Sequence, residues 1–197
     1  MGERSHLKVG LGINVLVAAQ RRIAWVFDTF ERIYLSGPSG KDSGVMMHLA
    51  CAEARKRGRK IGILYVDLEA QYAFTIAWVR EMFDMYSDCI EPYWLALPIR
   101  MRNAVSNVEP FWIAWDPERI AAWVRSPDPR SIVDASALPW FTPPRRDEHG
   151  IAHAMEFEEL IDEFGKWYGG AKDAACLVGI RSDESLNRWR AISVDRE

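Results

Sequence analysis

Apolar residues recur at three- and four-residue steps through residues 13–30, where Ile13, Leu16, Ile23, Phe27 and Phe30 fall on one stripe. That period predicts a helix with one buried face. Arg32-Ile33-Tyr34-Leu35 reads as a short buried strand, and it runs into Ser36-Gly37-Pro38-Ser39-Gly40. Neither a helix nor a strand accepts that stretch in its interior. The helical period returns at Ser43, with Val45, Met46, Leu49 and Ala50 as its apolar face, and stops at Arg55-Lys56-Arg57-Gly58. Cations in a last turn followed by glycine end a helix. Ile61–Val66 is a second apolar strand. Asp67-Leu68-Glu69 leads into a third helix, with Phe74, Ala77, Trp78, Met82 and Met85 on one side. Residues 93–97 predict a third strand, closed by Pro98.

Strands alternating with helices imply an α/β fold: a Rossmann-like parallel sheet flanked by helices. In such sheets ligands sit beyond the carboxyl ends of the strands. The loop at residues 36–43 and the Asp67–Leu68–Glu69 turn both fall there.

Residues 99–152 break the alternation. They hold Pro110, Pro117, Pro127, Pro129, Pro139, Pro143 and Pro144 together with Trp112, Trp115, Trp123 and Trp140. A short helix at 117–124 is expected, with Asp116 as N-cap and proline first. So aromatic a stretch is not a disordered linker. It reads as an irregular but ordered insertion that covers the site or meets a partner. Beyond it, a helix at 154–168 ends at Gly169-Gly170, a strand follows at 175–180, and a last helix carries Leu186, Arg188, Trp189 and Arg190.

Composition narrows the function. A length of 197 residues, 49% hydrophobic, suits a single domain spanning residues 1–197 with the insertion inside it. With 27% charged residues and a net charge of −3, direct nucleic-acid binding is not indicated, and an anionic membrane is not called for. No apolar run reaches the roughly 18 residues of a membrane span, and Met1–His6 leads into no signal-peptide core, so a cytoplasmic protein is expected. Cys51, Cys89 and Cys176 are too far apart for CxxC chemistry and read as small buried residues. His149 and His153 stand four apart, but Gly150 lies between them and no third ligand is near, so no zinc is expected.

The chemistry concentrates in Ser36, Gly37, Ser39, Gly40, Lys41, Asp42 and Ser43, between a strand and a helix. Glycines let the backbone approach an anion, the helix start offers free N–H donors, and Lys41 adds a point charge. Such a loop suits phosphate oxygens. It is not a Walker A loop: Leu35 stands where the first glycine belongs, and Asp42 follows the lysine. It is not the dinucleotide fingerprint either, because Gly37 and Gly40 give G-x-x-G alone.

Pro38-Ser39-Gly40-Lys41-Asp42-Ser43 resembles the S-G-G-x-D-S pyrophosphate loop (PP-loop) of the adenine-nucleotide alpha hydrolases, the ATP-pyrophosphatase superfamily. Within it the chain is most similar to the phosphoadenosine phosphosulfate (PAPS) reductase family. Gly179-Ile180-Arg181-Ser182-Asp183-Glu184-Ser185, followed by Arg188 and Arg190, resembles that family's G-[IV]-R-x-x-[DE]-S segment. Asn103-Ala104-Val105-Ser106, Trp115-Asp116-Pro117 and Ala122-Trp123-Val124-Arg125 resemble its IbrA-like branch. The likeness runs over residues 12–192.

The resemblance implies an adenine-nucleotide site made by the loop together with Asp67, Arg181 and Arg188. Lys41, Asp42 and Arg181 would be catalytic, and Mg would be held with ATP by Asp42 and Asp67. Two departures stand out. Pro38 replaces the first serine of the loop and lacks an N–H. The sulfonucleotide reductases attack sulfur with a tail cysteine, whereas this chain ends Ser193-Val194-Asp195-Arg196-Glu197; the paired cysteines of an iron–sulfur cluster are absent too. Two functions are therefore expected: cleavage of ATP at the α-phosphate, by hydrolysis or adenylylation, or a non-catalytic nucleotide sensor partnered with a ParB-like protein. Thiol-dependent reduction ranks below both, and a homo-oligomer is left open. Some residues carry two readings. Asp67 and Glu69 either meet metal or ribose, or cap the third helix. Arg100 and Arg102 follow the third strand and can reach a phosphate, whereas Arg145-Arg146 reads as a solvated turn.

Overall fold

The computed structural model describes residues 12–103, 105–106, 108–148 and 152–179. The chain opens with α1 (Val15–Thr29), β1 (Arg32–Ser36), α2 (Lys41–Arg57), β2 (Ile61–Val66), α3 (Ala73–Met85) and β3 (Ile90–Leu95). An insertion follows with β4 (Ile99–Arg102), β5 (Phe111–Ala114), two 3-10 turns, β6 (Arg145–Arg146) and β7 (Ala152–His153). The chain then returns through α4 (Phe157–Gly169) to β8 (Ala174–Val178).

Four strands form a parallel sheet in the order β3-β2-β1-β8. Helices and the insertion cover both faces, so the central strands β1 and β2 are buried almost throughout, as parallel sheets require, whereas the edge strand β8 is partly exposed. Ile33, Leu35, Ile61, Ile63 and Tyr65 point to one side, against α1, α2 and α3. Tyr34, Leu64 and Leu95 point to the other, against Leu160, Phe164 and Tyr168 of α4 and against Ala114, Trp115, Leu138 and Phe141 of the insertion. Each such fully buried aliphatic side chain contributes about 1.5–3 kcal/mol. Where α4 crosses the sheet, space is tight. A Cβ on Gly62 would lie 2.9 Å from the Tyr168 ring, so only glycine lets that ring approach β2.

Helix ends follow local chemistry. The Asn14 side chain caps α1 by accepting from Leu16 N at 2.8 Å. Gly58 ends α2 at φ +61°, with its N–H on the carbonyls of Ala54 and Arg55. Arg55 and Arg57 of the last turn pair with Asp88 and with Asp28 and Glu53.

Several expectations are corrected. In α2 the buried face is Met47, Ala50, Cys51 and Ala54, and Val45 is exposed. In α3 it is Ile76, Val79, Met82 and Phe83; Phe74 is 90% exposed and Met85 lies outside the core. The expected α3 stripe is displaced from the buried one: Phe74, Ala77 and Met85 are exposed, and of the five expected residues only Met82 is fully buried. The third strand begins at Ile90 and contains Pro92, which an edge strand tolerates. The insertion carries a hairpin, β4–β5, where irregular chain was expected. It also touches the β3 edge, where Ile132 N donates to Trp94 O at 2.7 Å and Ala96 N donates to Ile132 O. The helix after Asp116 is a kinked 3-10 turn, Pro117–Ala122, rather than a full α-helix. Cys51 and Cys89 are buried as expected, whereas Cys176 is exposed on the edge strand β8. Among the described residues no helix is long and apolar enough to cross a membrane.

Candidate functional site

The loop after β1 turns at Gly37, whose φ of +71° is the left-handed region that favours glycine. Gly37 N donates to Leu64 O at 3.0 Å, which ties the turn to β2. Pro38 is buried, and its carbonyl accepts from Trp78 Nε1 of α3 at 3.2 Å. The same indole covers the start of α2: a Cβ on Gly44 would lie 3.2 Å from the Trp78 ring. Pro38 thus fixes the loop to α3 and supplies no N–H.

Helix α2 begins at Lys41 with Gly40 as N-cap. Gly40 N donates to Ser43 Oγ at 3.2 Å, and Ser43 Oγ donates back to Gly40 O at 3.0 Å. The Ser43 hydroxyl is therefore spent on closing the loop. What remains for a ligand is the exposed Ser39, Gly40 and Lys41, the half-buried Asp42, and first-turn N–H groups that have no carbonyl one turn back. A helix start with an adjoining ammonium group is an electropositive cradle suited to phosphate.

Strand β8 brings its own carboxyl end to this loop. Ser36 lies beside Val178 in the parallel register of β1 and β8. One residue on, Gly179 is pressed against the first turn of α2: a Cβ there would lie 2.8 Å from both Ser43 N and Ser43 Cα. Arg181 and Arg188 lie outside the described residues, as does the 180–185 part of the motif that begins at Gly179.

Asp67 lies at the carboxyl end of β2 and is fully buried. Its carboxylate is ion-paired with Arg125, accepts from Trp94 Nε1 at 3.0 Å, and accepts from Glu69 N at 3.1 Å. The next helix does not start there; Tyr72 is the N-cap of α3. Glu69 is buried too, at φ +64°, and its carboxylate accepts from Trp115 N at 2.6 Å and Val124 N at 3.0 Å. Trp115 Nε1 donates to Asp67 O at 2.6 Å, and the Arg125 guanidinium lies 5.0 Å from the Trp115 ring. Both acids therefore clamp the insertion to the sheet, which is neither of the two roles weighed for them. Nearby, burial and then the charge of Asp67 push the Tyr65 phenol up, and its hydroxyl has no hydrogen-bond partner among the described residues.

Arg100 pairs with Glu156 at 3.0 Å and lies 3.5 Å from the centre of the Phe111 ring. Arg145 and Arg146 are exposed, as a solvated stretch is, but they form the strand β6 rather than a turn, and Arg146 pairs with Asp116 and Glu118. His153 contacts Asp147 at 3.2 Å, and His149 lies outside the described residues. Among the described residues no group of three or more His, Cys, Asp or Glu side chains is arranged to hold a metal.

Trp78, expected only on the apolar side of the third helix, holds the loop through Pro38, and Arg125, singled out only by resemblance, holds Asp67. The pairing of Arg125 leaves no mark in the spacing of the sequence, because its partner Asp67 lies 58 positions away.

No family model and no solved structure matches this chain. A protein of Escherichia coli (strain K12), the uncharacterized YbdN, is 39% identical over 190 residues. The match covers 96% of this chain and 44% of that protein, so the chain spans less than half the length of this relative.

Proposed function

We propose that the chain binds an adenine nucleotide, with its phosphates on the loop at residues 36–43, and cleaves ATP at the α-phosphate as an ATP pyrophosphatase of the adenine-nucleotide alpha hydrolase kind. The observation that carries this reading is the contact of Gly179 with Ser43. The two segments whose sequences resemble one nucleotide site are far apart in the chain, and the fold sets the glycine that opens the second against the end of the first.

In this reading Lys41 and the N–H groups of the first turn of α2 hold the departing pyrophosphate and stabilise its charge. Ser43 keeps the loop closed through Gly40. Mg suits the residues in part. The Asp42 carboxylate is a hard oxygen ligand beside the phosphate cradle and would hold the ion together with phosphate oxygens. Asp67 does not suit it, since Arg125, Trp94 and the Glu69 N–H already fill its carboxylate. When bound, the ion supplies charge neutralisation to the phosphates. Incubation with α-labelled ATP and Mg tests the reaction. AMP and pyrophosphate should form, and the variant Lys41→Ala, Asp42→Ala should lose both; equal product from the two proteins would end the proposal.

A second reading, a nucleotide sensor without turnover whose partner is a ParB-like protein, is favoured by the same occupied Asp67 and by Pro38. Calorimetry separates the two. Binding of ATP without product supports the sensor, and absence of binding removes both readings.

A further inference from the structure

Strand β8 pairs with β1 along one edge, and among the described residues nothing pairs with its other edge. That strand reads Ala174-Ala175-Cys176-Leu177-Val178, with no charge, proline or bulge. Exposed edges normally carry such features, because a flat apolar edge invites another strand. Beside it lies an open groove of about 960 Å³, floored by Tyr34, Ile161, Ala174 and Cys176. Cys176 is exposed and Val178 is 48% exposed.

The charges along this groove are ordered. Helix α4 runs antiparallel to β8, since Gly169 at its end packs against Ala174 at the start of the strand. Glu158 and Asp162 therefore lie towards the carboxyl end of β8, while Lys166, Lys172 and Asp173 lie towards its amino end. Lys166 bonds Asp162 and Glu163, and Lys172 pairs with Glu31; all of these are exposed surface pairs that exchange partners at little cost.

We propose that β8 is the interface of a two-fold dimer, in which the β8 strands of two copies pair antiparallel and join their sheets into one of eight strands. The occupant is a second copy because the edge is self-complementary. A two-fold axis through the middle residue sets Ala174 opposite Val178, Ala175 opposite Leu177, and Cys176 opposite its own copy. It also turns the acidic end of each groove to the basic end of the other. The two α4 helices then wall a shared groove, which adds to the small area that two short strands bury.

Facing residues of an antiparallel pair have Cα atoms about 4.5–5.5 Å apart, within the range that a disulfide spans. The test uses this. Sedimentation of the full chain should give twice the 22.6 kDa mass. Mild oxidation with copper phenanthroline should yield a dimer band on a non-reducing gel. Cys176→Ser should abolish that band and still sediment as a dimer. Cys176→Lys sets two ammonium groups face to face and should sediment as a monomer with an unchanged far-ultraviolet spectrum. A monomeric native chain overturns the proposal, and so does a native dimer whose cross-link persists in Cys176→Ser. If Cys176→Lys fails to fold, the native cross-link and its loss in Cys176→Ser decide. Slow amide exchange at β8 in a native monomer would assign the edge to this chain's own residues, which also overturns it.

Discussion

Gly179 lies against Ser43 so closely that a single added carbon on the glycine would sit 2.8 Å from the serine's backbone nitrogen. Real Cβ atoms do not approach that near, so Gly179→Ala must push the first turn of α2 away from β8. The phosphate cradle would be deformed with little change to the core. ATP binding should weaken about tenfold, or roughly 1.4 kcal/mol, while the thermal midpoint falls by only a few degrees. Titration calorimetry beside a melting curve reads both, and unchanged affinity would separate the loop from the nucleotide.

The insertion depends on Asp67. Removing Arg125 leaves a carboxylate buried without its counter-charge, which costs about 3–5 kcal/mol. Arg125→Ala should shift the denaturant midpoint accordingly. The pair Asp67→Asn, Arg125→Met should recover part of the loss, because neither partner then carries a stranded charge. A loss below about 1 kcal/mol in Arg125→Ala would show that the pair is screened by water.

Gly37 and Gly58 both adopt positive φ, and at neither would a Cβ meet a neighbour. Alanine at either position therefore costs backbone strain alone, about 1–2 kcal/mol. The stability loss should be similar for the two variants. Only Gly37→Ala should also weaken ATP binding, because only that turn belongs to the loop.

Acid should loosen the contact between the insertion and α3. Asp128 is buried; desolvation alone would raise its carboxyl, but the Arg130 backbone N–H and the Arg80 and Arg130 guanidinium groups outweigh burial and hold it below its ordinary value of 3.8. A carboxyl lowered in the fold stabilises fully above its unfolded value and loses that contribution as pH falls through the folded one. Stability should therefore drop with acid in the range below 3.8. Arg80→Ala should flatten that slope in denaturation curves measured across the range.

Much of the frame was legible in the chain. The glycines and proline of residues 36–40 announce a strand-to-helix loop, because no regular element accommodates them, and Ile61–Val66 announces a buried strand by composition. The buried face of α3 was not legible. Phe74 and Met85 are as apolar as Ile76 and Val79, and only packing on the sheet distinguishes them. Nor was the role of Asp67 and Glu69. An acid at a strand's carboxyl end reads equally as ligand or cap until Arg125, Trp115 and Val124 arrive from a distant stretch of chain to occupy it. The hairpin β4–β5 lay inside a proline-rich segment whose short strands leave a weak alternating signal.

The register of Ser36 beside Val178 sets an order of assembly. Strand β1 takes β2 from nearby chain, but its other neighbour, β8, comes from far along the sequence, after α2, α3 and the whole insertion. Pairings so distant along the chain form slowly, because a long loop must close before they are rewarded. A ribosome-bound fragment ending before β8 would hold the β1 loop without Gly179 behind it. On the proposed reading, competence to grip a nucleotide should therefore wait until β8 has been made and has docked on β1.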